Sequence, residues 1–271
     1  MGNITSTAVN LNAAITGAEA DAALFHLKVL GIEEAYETMQ LNEQTDNYRV
    51  TCRASPPNAL AISRYIQAPI MPPQGATALS NAAFAEVPPT LKPTGTVKVG
   101  FIENGLPHTR PPATIWFPGY MIKEKSFSAT FLHECIHLHQ RSNKKKWNDF
   151  YRNFWQFEPY NGSIPKEIEE RRRINPDTMR QPFYIWRGQW IPVLVFERPG
   201  AADLKSCKLL WVEPSGAWQQ HAPPDWELFF GTVNGSICEH PHEMAAYFLS
   251  DNENPFDSQA ANILRKEFLL H

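Results

Sequence analysis

Three residues in one short stretch carry the clearest chemistry in the chain: His133, Glu134 and His137, within Phe131–Arg141 (FLHECIHLHQR). On a helix, positions four apart lie one turn apart on the same face, so both imidazoles can reach a single cation. A catalytic zinc held in this way keeps an open position for water, and Glu134 is placed as the general base for that water. The expected reaction is metal-assisted hydrolysis, with Glu134 taking the water's proton and delivering it to the leaving group. Apolar neighbours Phe131, Leu132, Cys135, Ile136 and Leu138 predict a helix buried around much of its circumference. Ionisable groups in such a helix need partners, and a metal supplies them at once. The bland alternative is two hydrogen-bonded core histidines beside an ordinary helical glutamate.

Catalytic zinc takes three protein ligands, so a third must come from outside this helix. The metzincin continuation, His-x-x-Gly-x-x-His, is excluded because its glycine and final histidine positions hold Gln140 and Asn143. The other solution is a glutamate on a second helix, as in gluzincins. Glu243, in His242-Glu243-Met244-Ala245-Ala246-Tyr247, is the best candidate. It falls in the first turn of an expected helix, and small Ala246 would let that helix pack closely on the first. In these two short helices the chain resembles zincin metallopeptidases of the gluzincin type, His-Glu-x-x-His followed by Glu-x-x-Ala. The resemblance implies a zincin-like α+β fold, Zn²⁺ on His133, His137 and Glu243, and a peptide or protein substrate. More loosely, His133–Phe157, Asn175–Thr178 and His240–Glu243 are similar to metallopeptidase-like proteins of large DNA viruses and algae. Two features depart from the family pattern. The stretch between His137 and Glu243 is far longer than in compact gluzincins and must hold an inserted β region. Tyr247 stands where an Asp often orients a zinc-bound histidine, which leaves the partner of His133 or His137 unassigned.

Rival third ligands are His240, His242 and His139. His139, two positions after His137, points about 200° around the helix and so away from the metal. The oxyanion of a tetrahedral intermediate needs a donor. Tyr247, one turn after Glu243, is the first choice, followed by His242, Tyr184 and Arg180. Cys52 could occupy the open metal position as a latency thiolate, but a small buried residue is the simpler reading. Cys135 projects away from the imidazole pair and suits the core.

The elements around these residues follow from periodicity and breakers. Ala18–Leu30 is expected as a helix ended by Gly31, Ile32–Gln40 as a second, and Tyr48–Cys52 as a strand. Recurrent prolines from Ser55 to Pro112 exclude a long helix there, apart from a piece near Ala59–Tyr65. Thr96–Ile102 and Ala113–Phe117 are expected strands. A helix capped by Ser126 or Ser128 should run to about Arg141. Trp147, Phe150, Tyr151, Phe154 and Trp155 recur at helical spacing and are expected in the core. Pro165–Arg173 reads as a short charged helix. Phe183–Trp186 and Trp190–Phe196 read as a hairpin about Arg187-Gly188, with Lys208–Val212 and Glu227–Thr232 as further strands. His240–Leu249 and the stretch from Asp257 or Ser258 to Leu270 read as helices. The expected organisation is an N-terminal helical arm and proline-rich β/loop segment (1–117) followed by a metal-binding domain (118–271). Metal helices would lie at 126–141 and 240–250, with the strands of 183–233 as a wall or flap over the cleft.

Composition excludes several classes. With 271 residues and 43% hydrophobic content the chain can bury a core without staples. Net charge −3 offers no bulk attraction to nucleic acid, and the Lys144–Lys146 cluster reads as a solvated corner. Four scattered cysteines without a CxxC pair point to a reducing, cytoplasmic compartment. No secretory signal or membrane span is expected, though Met1–Ser6 fits an N-myristoylation pattern at Gly2, which would give weak membrane association. The competing functional expectation is a scaffold or virion protein that keeps the fold with a degenerate, non-catalytic zinc site.

Overall fold

The computed structural model describes residues 25–65, 68–198, 202–203, 206–233, 235, 237–251 and 256–270. Gly2 and residues 18–24 of the expected first helix lie outside them. The architecture is α+β. Its main sheet contains β1 (Phe25–Val29), β2 (Pro69–Ile70), β3 (Gly95–Ile102), β4 (His108–Arg110) and β5 (Thr114–Pro118). The order is β1-β3-β5-β4, with β1, β3 and β5 parallel and β4 antiparallel at the edge. β2 pairs with the last two residues of β3, beyond the end of β1. The helices are α1 (Ile32–Asp46), α2 (Tyr48–Arg53), α3 (Pro56–Tyr65), α4 (Ala76–Glu86), α5 (Phe127–Ser142), α6 (Lys144–Phe150), α7 (Lys166–Glu169), α8 (Pro224–Phe230), α9 (Pro241–Ser250) and α10 (Gln259–Leu269).

Alternation along β3 assigns the two faces of the sheet. Val97, Val99 and Phe101 enter the main core with Phe117. Ile102 joins Trp116 on the opposite face, covered by Ala35 and Met39 of α1. Gly100 is required there: it stands opposite Trp116 in register, and a Cβ would collide with the buried indole. The core face receives α4 and α5, with Phe127 and Phe131 of α5 at 5.2 and 5.7 Å from the Phe117 ring. α5 is therefore seated on the sheet by aromatic contacts, which fixes the direction of its opposite face.

Two smaller sheets complete the chain. β6 (Phe157–Pro159) pairs with β7 (Tyr184–Trp186), and β8 (Ile191–Phe196) pairs with β9 (Cys207–Val212), which carries β10 (Trp218–Gln219). The Arg187-Gly188 turn is present, with φ of 50° and 66° and a Trp186–Trp190 bridge. Its flanking strands, however, pair outward into different sheets rather than with each other. Trp147, Phe150, Tyr151 and Trp155 are buried, as their spacing predicts, while Phe154 is exposed.

Several expectations are corrected. Phe25–Val29 is strand β1, not the end of a helix, because parallel pairing with β3 overrides local helical propensity. Tyr48–Cys52 is helical: Asn47, at φ 54°, turns the chain after α1, and Tyr48 and Cys52, one turn apart, enter one cluster with Ile174. The proline-rich stretch does hold an eleven-residue helix, α4, which fits between Pro73 and Pro88. Glu227–Thr232 is mostly helix α8, begun by Pro223-Pro224 and ended by Gly231 at φ 76°. The boundary at 117/118 separates no cores, since Phe84, Val99 and Phe117 share one cluster with Phe131, Trp147 and Phe248.

Candidate metal centre and active site

α5 places the site. Every residue from Phe131 to Gln140 is buried, so the imidazoles leave the helix inside the protein. α9 supplies the third group. Pro241 opens its first turn, and His240 Nδ1 caps it by accepting the His242 N–H at 3.0 Å. Glu243 then faces α5, with fully buried Ala246 one turn further along.

The ligand atoms of His133, His137 and Glu243 all lie within 4.8 Å of one another. His133 Nε2 and His137 Nε2 are 3.0 Å apart, and each lies 3.5 Å from a carboxylate oxygen of Glu243. Ligand atoms about 2.1 Å from a tetrahedral ion stand about 3.4 Å apart, so these separations match a shared first-row cation. The charges agree. Burial pushes the His137 pKa down, but Glu243, Asp177 and Glu134 outweigh it and raise it to about 10. Burial opposes ionisation of Glu243, yet the two imidazoles hold its carboxyl well below the usual range. The cluster is built to surround positive charge.

Gln140 fixes the tautomer of His137. Its Nε2 donates to the His242 carbonyl at 2.9 Å, so its Oε1 is the atom facing His137 Nδ1 at 2.8 Å. Nδ1 then carries a proton in either charge state, so Nε2 is the nitrogen whose lone pair would meet a cation taking its proton's place. This is the partner that the sequence left unassigned. Its signal was available: Gln140 lies one turn beyond His137 on the same helix, at the very position whose identity excluded the metzincin pattern.

Beside the cluster is a cavity of about 660 Å³, lined by His133, Glu134, Glu243 and Tyr247 with Leu106–His108 and Arg173–Asp177. The expected wall from 183–233 is absent from its lining, because that region packs on the outer side of residues 171–173 through Leu194 and Phe196. Glu134 Oε2 is buried and has no hydrogen-bond partner among the described residues. Burial, then Asp177, raises the pKa of Glu134 well above its usual value. Tyr247 lies edge-on to His133, with ring centroids 4.5 Å apart. Tyr247 is 38% exposed; partial desolvation and nearby Glu243 push its phenol up to about 12, so it keeps its proton for donation.

The remaining candidates are placed elsewhere. His242 packs its ring among Tyr151, Tyr184 and His240, outside the cavity lining. His240 is the α9 cap, and its Nε2 donates to the Gln181 carbonyl at 2.9 Å. His139 faces Trp147, whose Nε1 donates to it at 3.0 Å. Tyr184 is buried, its hydroxyl on Asn148, and Arg180 is exposed; neither lines the cavity. Cys52 packs beside Tyr48, where burial pushes its thiol up to about 12, and Cys135 is fully buried. All four cysteines are free. The residues that sequence reasoning missed, apart from Gln140, come from 173–177: Asn175 Nδ2 donates to Glu243 Oε1 at 2.8 Å, and Asp177 lines the cavity beside Glu134. No helix among the described residues is long and apolar enough to cross a membrane. Compared with known proteins, the chain matches no family model, no curated protein and no solved structure.

Proposed function

We propose that this protein is a zinc-dependent peptidase of the gluzincin type, with Zn²⁺ held by His133, His137 and Glu243. One observation carries the reading: two imidazoles and a carboxylate converge at metal-ligand spacing beside a glutamate whose buried oxygen is unpartnered and lines a cavity. Bound there, zinc would supply Lewis acidity toward a carbonyl oxygen and lower the pKa of water. Glu134 accepts the proton of the attacking water at its unpartnered oxygen and passes it to the leaving amine. Tyr247 donates its phenolic proton as a hydrogen bond to the oxygen that gains charge. Gln140 keeps His137 in the tautomer that presents Nε2.

Room for an extended peptide as substrate comes from the cavity of about 660 Å³, one side of which is formed by Leu106, Pro107 and His108 ahead of and at the start of β4; the outward Thr109 N–H of that strand is already taken by Asp177. The site would work in a reducing intracellular compartment, in keeping with the free cysteines. Cleavage of a peptide library by zinc-loaded protein and by Glu134→Gln tests the reading. The wild type is expected to cleave and the variant to lose activity by at least 10²-fold while retaining zinc. No cleavage by the zinc-loaded wild type would leave the scaffold role. Iron rather than zinc in the purified protein would instead favour oxidative chemistry, since two histidines and a carboxylate also suit non-haem iron.

A further inference from the structure

The segment Arg173–Asp177 crosses the site without contributing a ligand, and its contacts are specific. Arg173 N–H donates to the Leu194 carbonyl at 2.8 Å, Ile174 N–H to Asn58 Oδ1 at 2.9 Å, and Tyr48 hydroxyl to the Ile174 carbonyl at 3.2 Å. Asp177 accepts from the Thr109 N–H at 2.9 Å and from its hydroxyl. Between these ties stands Asn175. Its Oδ1 accepts the Asp177 N–H at 2.9 Å, so its Nδ2 must be the atom facing Glu243 Oε1 at 2.8 Å and Glu239 Oε1 at 2.9 Å.

One amide thus bridges two buried carboxylates, and each has a different cation to satisfy. Glu239 is ion-paired to Arg173, and Glu243 faces the two imidazoles. Arg173 also lines the cavity and lies close enough to Glu243 to feel its charge. A carboxylate free to rotate would therefore have two cationic partners, the guanidinium and the metal. Asn175 removes that freedom by holding Oε1 on the imidazole side.

Resting on the zinc-site reading, we propose that Asn175 is a positioning residue. It keeps Glu243 directed at the metal and away from Arg173, with the Arg173–Glu239 pair holding the guanidinium in place. Its role is metal retention rather than contact with substrate. Outer partners of metal ligands typically contribute 10–100-fold in affinity. The strap's other ties provide a control, because Tyr48→Phe removes the bond to the Ile174 carbonyl and leaves the Asn175 amide untouched.

The test is zinc affinity by competition with a chromophoric chelator, for the full-length wild type, Asn175→Ala and Tyr48→Phe, alongside thermal melts of the metal-free proteins. The expected result is a 10–100-fold loss of zinc affinity in Asn175→Ala and less than a threefold change in Tyr48→Phe. Equal affinity in wild type and Asn175→Ala overturns the proposal. So does an equal loss in both variants, which would show that zinc retention follows the integrity of the strap and not the amide. If Asn175→Ala fails to fold, Asn175→Ser, which is too short to reach both carboxylates, takes its place with the same expected loss. Should the wild type itself bind no zinc, the underlying metal reading fails, an outcome distinct from all of these.

Discussion

Glu134 combines burial with ionisation, and the two oppose each other. Its folded pKa is raised, by burial first and by Asp177 next, above the ordinary 4.5. The unfolded chain therefore loses this proton at a lower pH than the folded one, and metal-free stability declines as pH rises above about 4.5. Glu134→Gln removes that loss. We expect metal-free Glu134→Gln to be more stable than wild type at pH 8, by about 1–2 kcal/mol, with the gap closing toward pH 5. Thermal melts in chelator at the two pH values check this, and a variant no more stable than wild type at pH 8 would contradict it. At this scale the sequence was informative where spacing is local. His133, Glu134 and His137 are readable because a helix brings i and i+4 together whatever surrounds it. Asn175 and Asp177 fall in a segment that the loose resemblance includes, but their roles are unreadable, since nothing local says what an Asn-Pro-Asp turn will touch until the sheets carry it to α5.

Among the elements, α9 depends on an unusual cap. The His240 imidazole accepts a backbone N–H at Nδ1, so it works only when that nitrogen is unprotonated. Burial is the main reason its pKa falls to about 4 from the ordinary 6.5. As pH drops below 6.5 the unfolded chain takes up this proton first, so stability is lost between pH 6.5 and about 4. At about 1.4 kcal/mol per unit the loss is about 3 kcal/mol over that window. Asn at 240 offers a carbonyl oxygen to the same N–H and does not titrate. His240→Asn is therefore expected to show a shallower fall in urea midpoint between pH 7 and pH 4.5 than wild type. A parallel fall would place the acid lability elsewhere. Element legibility follows the same logic. β3, β5, α5 and α9 carry clear periods or start signals in their own residues, as in Pro241 after His240. Phe25–Val29 (FHLKV), which alternates apolar and polar residues, and the short apolar run in Glu227–Thr232 have states decided by what they meet: β3 in one case, the Pro223-Pro224 turn in the other.

At the scale of the whole molecule, the metal helices cannot be separated from the N-terminal sheet. Phe127 and Phe131 of α5 lie on Phe117, and buried Arg110 ties β4 to Asp46 and Glu43 of α1. We expect urea unfolding of the full chain to be one cooperative transition, coincident by fluorescence and far-UV circular dichroism. Residues 118–271 alone should lack fixed tertiary structure; a separately folding fragment would restore the two-part organisation read from composition. Residues on both sides of 117/118 share one core, because proline density marks loops, and loops need not mark a boundary between cores. That α5 and α9 together hold one metal is checked by the zinc content of purified wild type, Glu134→Gln and Glu243→Ala. About one zinc per chain is predicted for the first two and a sharp loss in the third. Full zinc retention by Glu243→Ala would contradict it.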